Sequence, residues 1–364
     1  MIVKRLELKN FRNYERESIS FSPNVNVLVG KNAQGKTNML EALYFCSVGK
    51  SPRTNKEKDL VRFEEDSSRI YLELEKKYGK KTIEVLFNKG MKKVVKINGV
   101  SILKIADMLG TLNCVYFSPQ ELKLVKDAPE DRRKFMDIDI SQLSKTYFYL
   151  ILRYQKILEQ RNALLKSYKD IETVKSTLPV WDGQLAEIGA KIVITRTKFV
   201  QKLNAQANDI LEKLTNQKEH LSLEYTGVAG EDVETIRSNL YTSLSSSIEK
   251  DFKLGYTTVG PHRDDIKIVV NDLDIRTFGS QGQHRTVALA MKLAELEICF
   301  EETGDYPILL LDDVLSELDE ERQENLLKLC SKVQTIITTA TIPESKFKDY
   351  KLIEINNGRV INNG

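Results

Sequence analysis

Apolar and polar residues alternate over much of the N-terminal part of the chain, the pattern of half-buried strands. The segments are 3–8, 17–21, 68–75, 81–87 and 92–97. Asn88-Lys89-Gly90 predicts a hairpin turn between the last two. An antiparallel β layer follows from these runs. Val25-Asn26-Val27-Leu28-Val29 is instead nearly continuous in apolar, β-branched character, as expected of a strand buried on both faces.

From about Ile140 the period becomes helical. Leu143, Tyr147, Leu150, Ile151, Tyr154, Leu158, Arg161 and Leu165 form one stripe, and Leu185, Ile188, Ile192, Phe199, Leu203, Ala207, Ile210 and Leu214 a second. Residues 178–183, which include Pro179 and Gly183, interrupt them. The pattern predicts two long helices of opposite direction, either a short projecting arm or an ordinary helical subdomain. Strand-like residues return at 221–225, followed by a serine-rich helical stretch. A helix over 283–301, a strand over 307–311, a helix over 320–329 and a strand over 335–338 come next. A hairpin around Asn356-Asn357-Gly358 closes the chain.

Length and composition narrow this picture only a little. At 364 residues the chain exceeds the usual size of one core, so an insertion or a second domain is expected. Its 41% hydrophobic and 29% charged content is that of a globular protein, and a net charge of +3 implies little about partners. Cys46, Cys114, Cys299 and Cys330 are scattered among apolar neighbours and read as buried free thiols. No apolar run is long enough to span a bilayer, and residues 1–6 begin a strand rather than a leader, so a cytoplasmic protein without membrane attachment is expected. Three histidines, His220, His262 and His284, leave little scope for a histidine-rich metal centre.

Chemistry enters at Gly30-Lys31-Asn32-Ala33-Gln34-Gly35-Lys36-Thr37, which fits G-x-x-x-x-G-K-[ST]. In such a loop backbone N–H groups wrap nucleotide phosphates, Lys36 reaches the β and γ phosphates, and the Thr37 hydroxyl ligates magnesium. The buried strand before it and the helical run from Asn38 after it supply the required context. A chance glycine-rich turn explains neither flank. The matching acids, Asp312 and Asp313, stand far along the chain after Ile308-Leu309-Leu310-Leu311. Asp312 is placed to position magnesium, and Asp313, on the opposite side of an extended strand, to face an attacking water. Paired acids also cap helices, but Ser316 or Asp319 is better placed for that.

Ser280-Gln281-Gly282-Gln283 precedes a helix and could clasp a second phosphate. One nucleotide does not need two cradles, so this one suits the nucleotide of a second subunit, making ATP a dimerisation switch.

The ordered set of the loop, Ser118-Pro119-Gln120, Ser280-Gln281-Gly282-Gln283, Asp312-Asp313, Ser316-Glu317-Leu318-Asp319 and Thr338-Thr339-Ala340-Thr341 resembles the ABC-type ATPase heads of SMC-like DNA repair proteins. Asn10-Phe11-Arg12-Asn13-Tyr14, residues 129–137 (PEDRRKFMD) and Gly260-Pro261-His262-Arg263-Asp264-Asp265 look, more narrowly, like the RecF family. The match runs over essentially the whole chain.

The resemblance implies an α/β fold: an ABC-type P-loop ATPase head with a mixed sheet core and an antiparallel β layer, built from both chain ends around a helical arm. The expected lobes are residues 1–122 and 251–364, with the arm at 123–250. It implies ATP and Mg2+ as cofactors, with Gly30 to Asn38 binding nucleotide and Gln120 sensing metal and γ phosphate. Arg12 would reach a phosphate, Ser280, Gly282 and Gln283 would act in trans, and Asp319 would lie in a dimer-spanning loop. Asp313 would be the hydrolytic base. It also implies an ATP-dependent homodimer that binds double-stranded, gapped or junction DNA and acts with RecO and RecR, and indirectly RecA, in replication and DNA-damage repair.

Two departures, Thr339-Ala340-Thr341 at the position often held by histidine and Asp313 in place of glutamate, favour slow hydrolysis. The basic candidates for DNA are Lys50, Arg53 and Lys56, and Lys89, Lys92 and Lys93 with Lys96, although charge runs are usually solvated faces. Arg132-Arg133 could brace the arm against the head, and His262 and His284 read as structural. An ABC transporter ATPase would share the nucleotide motifs but need a membrane partner. An ATP-regulated nuclease would need an acidic cluster that is not evident, and a small-molecule kinase leaves Ser280 to Gln283 unexplained.

Overall fold

The computed structural model describes residues 1–330, 332–340 and 349–363. By its contacts the chain forms two compact units. One gathers Met1–Leu122, Asp209–Glu219 and Ala288–Gly364, and the other Lys123–Asn208 and His220–Val287. The boundary expected at 250/251 separates Leu221–Thr226 from Asp265–Val270, two strands that pair in the structure, Asp265 against Thr226 through Val270 against Leu221.

The first unit holds two six-stranded sheets. The antiparallel one runs in the order Tyr14–Ser20, Ile2–Phe11, Ser67–Lys76, Gly79–Asn88, Val94–Ile97, Val100–Ile102. In Ser67–Lys76 the alternation is literal: Ile70, Leu72 and Leu74 are buried and their neighbours are wetter. The mixed sheet runs Arg359–Asn363, Tyr350–Asn356, Val25–Val29, Thr335–Thr339, Ile308–Asp312, Cys114–Phe117, parallel except for its first strand. Its inner strands lack alternation because both faces are covered. Cys114–Phe117 is absent from the sequence reading, since a four-residue apolar run carries no period.

Helix Lys36–Val48 packs against both sheets and buries Met39, Leu40, Leu43, Phe45 and Cys46 in one core with Leu6, Ile70, Ile83, Leu310 and Ile336. Phe45 meets Phe87 edge-on at 5.1 Å, and truncating such a ring costs about 3–5 kcal/mol. The parallel register sets Leu28 beside Thr338, Thr338 beside Asp312, and Leu311 beside Phe117. Four strands therefore end along one edge, where open α/β sheets bind ligands.

The second unit combines helices with a three-stranded antiparallel sheet, Leu273–Asp274, Asp265–Val270, Leu221–Thr226. Its helices are Lys123–Lys126, Pro129–Leu143, Lys145–Ser167, Ile171–Thr177, Val233–Ser246, Ile248–Leu254 and Ile275–Phe278, with Pro179–Leu214 and Gln281–Thr303 crossing the unit boundaries. Ser144, Asp170 and Asp232 cap three of them by accepting the backbone N–H of Tyr147, Thr173 and Thr235. Residues 178–183, expected from sequence to break the pattern between the two stripes, belong from Pro179 on to the second helix. Pro179 starts the helix, where its missing N–H costs nothing, and Gly183 lies within. Every residue of the second predicted stripe is buried. Of the first stripe only Tyr147, Tyr154, Arg161 and Leu165 are buried, and Ile157 rather than Leu158 joins them.

Arg161 is the centre of a dry ionic cluster. Its Nε donates to Asp182 at 2.6 Å and its Nη1 to Asp251 at 2.7 Å, and all three side chains are 0% exposed. Burial raises the Asp182 carboxyl above its usual range, with the Arg161 guanidinium pulling the other way.

Nearby in sequence, Arg132 forks Asp265 at 2.5 and 3.0 Å, and Arg133 donates to the Asp264 carbonyl at 2.8 Å. These partners lie in the same unit as the arginines, so the bond is internal rather than the arm-to-head brace expected from sequence. His262 donates from Nε2 to the Thr257 carbonyl at 3.1 Å, which leaves Nδ1 to accept from the Tyr154 hydroxyl at 2.9 Å. His284 donates to the Ile275 carbonyl. All four cysteines are free and buried.

Candidate functional site

The loop between strand Val25–Val29 and helix Lys36–Val48 is held by both ends of the chain. Asn13 Nδ2 donates to the Gln34 carbonyl at 2.9 Å and the Tyr14 hydroxyl to the Gly35 carbonyl at 3.0 Å. From the other end, the Gly358 N–H reaches the Gln34 carbonyl at 2.9 Å, and the Asn357 N–H reaches Gln34 Oε1 at 2.6 Å. Glycine is required at two of these positions. Gly35 has φ +118, and a Cβ at Gly358, φ +69, would lie 2.3 Å from the Asn13 carbonyl oxygen.

Within the loop Lys31, Asn32 and Ala33 are exposed, whereas Lys36 is 7% exposed. The Lys36 ammonium folds back onto the carbonyls of Gly30 and Lys31. Burial lowers its pKa, against the pull of Asp313 and Asp312.

Asp312 ends its strand with three hydroxyls directed at it. Thr37 and Thr338 donate to Oδ1 at 2.9 and 2.8 Å, and Tyr116 donates to Oδ2 at 3.1 Å. Burial, then the Asp312 charge, raises the Tyr116 pKa, so its hydroxyl keeps the proton it donates. Thr338 also accepts the Asp313 N–H at 2.9 Å, so one hydroxyl on the intervening strand fixes both acids. Asp313 itself is half-buried and lies just past the strand with φ +54. Its direction is therefore set by a turn, not by the strand alternation expected from sequence.

Hydroxyl and carboxylate oxygens are hard donors, the chemistry that suits magnesium. Thr37 and Asp312, 275 positions apart and both expected from sequence to serve magnesium, meet directly.

The other predicted residues fall as follows. Asn38 donates to Asn13 at 2.8 Å. Arg12, φ +54, turns its guanidinium onto Glu41 and the Asp59 carbonyl. Gln120 is exposed in the turn after Cys114–Phe117, the strand next to Ile308–Asp312. Asp319 caps helix Glu320–Cys330 through the Arg322 N–H at 2.9 Å. Ser280 and Gln283 form a reciprocal cap at the start of Gln281–Thr303: Ser280 Oγ accepts the Gln283 N–H at 3.2 Å and Gln283 Oε1 the Ser280 N–H at 2.9 Å. Gly282 lies in its first turn and accepts from Thr286. Thr341 lies outside the described residues.

Of the basic candidates, Lys50, Lys56 and Lys92 are exposed. Lys89 pairs with Asp66 at 3.3 Å while remaining 45% exposed. Lys93 is engaged with Glu57, the Gly49 carbonyl and the Phe45 ring, and Arg53 with Asn38 at 2.7 Å.

Tyr116, Glu41 and Tyr14 are the site residues that sequence reasoning passed over. A strand assignment for Cys-Val-Tyr-Phe would have placed Tyr116 beside Asp312.

Comparison with known proteins fits this geometry. Residues 2–356 match the model described as RecF/RecN/SMC N terminal domain. The chain is 44% identical over 363 residues to the DNA replication and repair protein RecF of Clostridium novyi, covering 99% of each, and 42% identical to that of Alkaliphilus oremlandii, covering 99% of this chain and 100% of that one. A solved structure of the recombination mediator protein RecF with ATP, described as in the RecFOR pathway, superimposes with a TM-score of 0.89 at 38% identity, over 99% of this chain and 98% of that one. An SMC head bound to the winged-helix domain of ScpA shares the fold, with a TM-score of 0.59 at 16% identity over 99% and 96% of the chains. By sequence and by fold, this chain belongs to the RecF family of DNA replication and repair proteins, and the transporter, nuclease and kinase alternatives give way.

Proposed function

We propose that this chain works as an ATP-operated switch on DNA, with the loop from Gly30 to Asn38 and the Asp312 cluster as its nucleotide site. The observation that carries the reading is the convergence of Thr37, Thr338 and Tyr116 on Asp312 at the sheet edge beside the loop. Backbone N–H groups of residues 31–37 would wrap the phosphates, and the Lys36 ammonium would exchange the Gly30 and Lys31 carbonyls for phosphate oxygen. Thr37 and Asp312 would hold Mg2+, which when bound neutralises phosphate charge. Gln120 would contribute from the neighbouring turn, and Asp313 would accept the proton of the attacking water on its carboxylate.

Arg12 would donate to phosphate. Ser280, Gly282, Gln283 and Asp319 would meet the nucleotide of a second copy, so that ATP favours a homodimer. Ser280 Oγ only accepts in its helix cap, so its O–H can still donate to an anion at the same helix end.

Double-stranded, gapped or junction DNA would be held through phosphates by Lys50, Arg53, Lys56, Lys89 and Lys92, with Lys93 the weakest candidate because it is 19% exposed and held by Glu57, the Gly49 carbonyl and the Phe45 ring together. RecO and RecR would be direct partners and RecA an indirect one, in the cytoplasm. Hydrolysis would be slow and would reset the switch.

Asp313→Asn tests the chemistry. Its ATP affinity should stay within about threefold of the parent while hydrolysis falls about a hundredfold. Hydrolysis at the parental rate would remove Asp313 from the role of base.

A further inference from the structure

Glu41 lies on the helix that follows the phosphate loop, four positions after Thr37, and its side chain is 0% exposed. A buried carboxylate is costly unless paired, and this one is paired more than once. Arg12 grips it with a fork, Nε to Oε2 at 2.8 Å and Nη2 to Oε1 at 2.6 Å. Arg53 Nη1 stands 3.5 Å from Oε2, and the Ser51 hydroxyl donates to Oε1. Two guanidinium cations thus share one carboxylate, and within that trio one positive charge is uncompensated. Arg12 Nη1 also donates to the Asp59 carbonyl at 2.7 Å. Three of its five N–H groups are then engaged and two are left, on a side chain still 19% exposed.

The same turn of chain that carries Arg12 also carries Asn13 and Tyr14, which bind the Gln34 and Gly35 carbonyls. Arg53 donates to Asn38 at 2.7 Å, the residue next to Thr37. Glu41 therefore ties both arginines to the loop–helix junction.

We propose that Glu41 is a positioning residue for the nucleotide site: its fork fixes the Arg12 guanidinium so that the two unspent N–H groups face a phosphate. The inference rests on the nucleotide reading above. It makes a prediction opposite to simple electrostatics, because removing a negative charge near phosphates should by itself tighten their binding.

The test is ATP titration, by calorimetry with magnesium, of the full chain carrying Glu41→Gln, Arg12→Ala or both. Glu41→Gln should weaken ATP by roughly tenfold, the scale of a charge-assisted fork, and the double variant should bind no more weakly than Arg12→Ala alone. Glu41→Asp keeps the charge but shortens the reach, and should weaken ATP by about threefold only while Arg12 is present. That variant carries the test should Glu41→Gln not fold, as judged by melting without nucleotide. Tighter binding, or a loss that persists in the Arg12→Ala background, overturns the proposal. Lys36→Ala separates the two levels: if it binds ATP as the parent does, the nucleotide reading fails and the proposal with it. If it abolishes binding while Glu41→Gln changes nothing, only the role of Glu41 falls.

Discussion

The clusters around Asp312 and around Arg161 are built from the same materials, ionised and hydroxylated side chains withdrawn from water, yet they differ in access. Arg161 meets Asp182 and Asp251 with all three side chains fully buried, and Thr257, whose hydroxyl accepts from Arg161, is buried too. Its donors are turned inward, and no ligand from solution reaches them. Around Asp312 the hydroxyls of Thr37, Thr338 and Tyr116 converge as tightly, but Thr37 and Asp313 are half-buried and Lys31 to Ala33 are exposed. Buried charge by itself therefore marks a clamp, and buried charge with an open side marks a site.

The largest effect should come from breaking the clamp. Arg161→Ala leaves two carboxylates without their cation and should cost about 3–5 kcal/mol in denaturant unfolding, while ATP affinity of the folded fraction stays within about twofold. Lys36→Ala should do the reverse, weakening ATP at least a hundredfold (about 2.7 kcal/mol) with the ligand-free melting temperature nearly unchanged. If both substitutions damaged stability and binding alike, the contrast would collapse.

A subtler division lies within the second unit, at His262 and Asp264. Burial lowers His262 from 6.5 to about 4 and raises Asp264 from 3.8 to about 6. The depressed histidine contributes stability that is present above about 6.5 and lost as pH falls toward 4. The raised carboxyl contributes stability that is present below 3.8 and lost as pH rises through about 6. The two slopes oppose each other between pH 4 and 6. Relative to the parent, Asp264→Asn should gain stability as pH rises across that window, and His262→Gln should gain as pH falls, each by at most about 1.4 kcal/mol per pH unit. Urea midpoints of parent and variants from pH 4 to 8 would show it, and parallel profiles would refute it.

The smallest effect belongs to Tyr116→Phe, which removes one of three hydroxyls on Asp312. It should weaken magnesium-dependent ATP binding by about fivefold, near 1 kcal/mol, and leave magnesium-free binding alone. Equal losses with and without magnesium would make Tyr116 a packing residue only.

Much of the candidate site was legible because its chemistry is local. Strand, loop and helix are contiguous from Val25 to Val48, and the apolar run before Asp312 has one reading. What escaped was long-range or periodless. Tyr116 meets Asp312 across 196 positions from a four-residue strand, and Glu41 is a polar residue on a helix buried nearly all round, where amphipathic reading has no purchase. Helix Pro129–Leu143 hid for a related reason: its buried face includes Arg132, Asp139 and Gln142, so the packed side reads as polar. Pro179 and Gly183 looked like a break because proline ends helices more visibly than it starts them, and only the cap and neighbours decide. Asp313 falls one residue past the end of its strand, and its positive φ is not visible in sequence.

If the Asp312 cluster and the phosphate loop hold ATP as proposed, occupancy of that site should bring two copies together. Light scattering of Asp313→Asn with magnesium and saturating ATP, with ADP, and without nucleotide tests it most directly, each repeated with a short gapped duplex. A species of twice 41.7 kDa, plus any bound duplex, is expected with ATP, and a single copy otherwise. A single 41.7 kDa copy with ATP, both free and as the protein share of the mass on DNA, would rule this out.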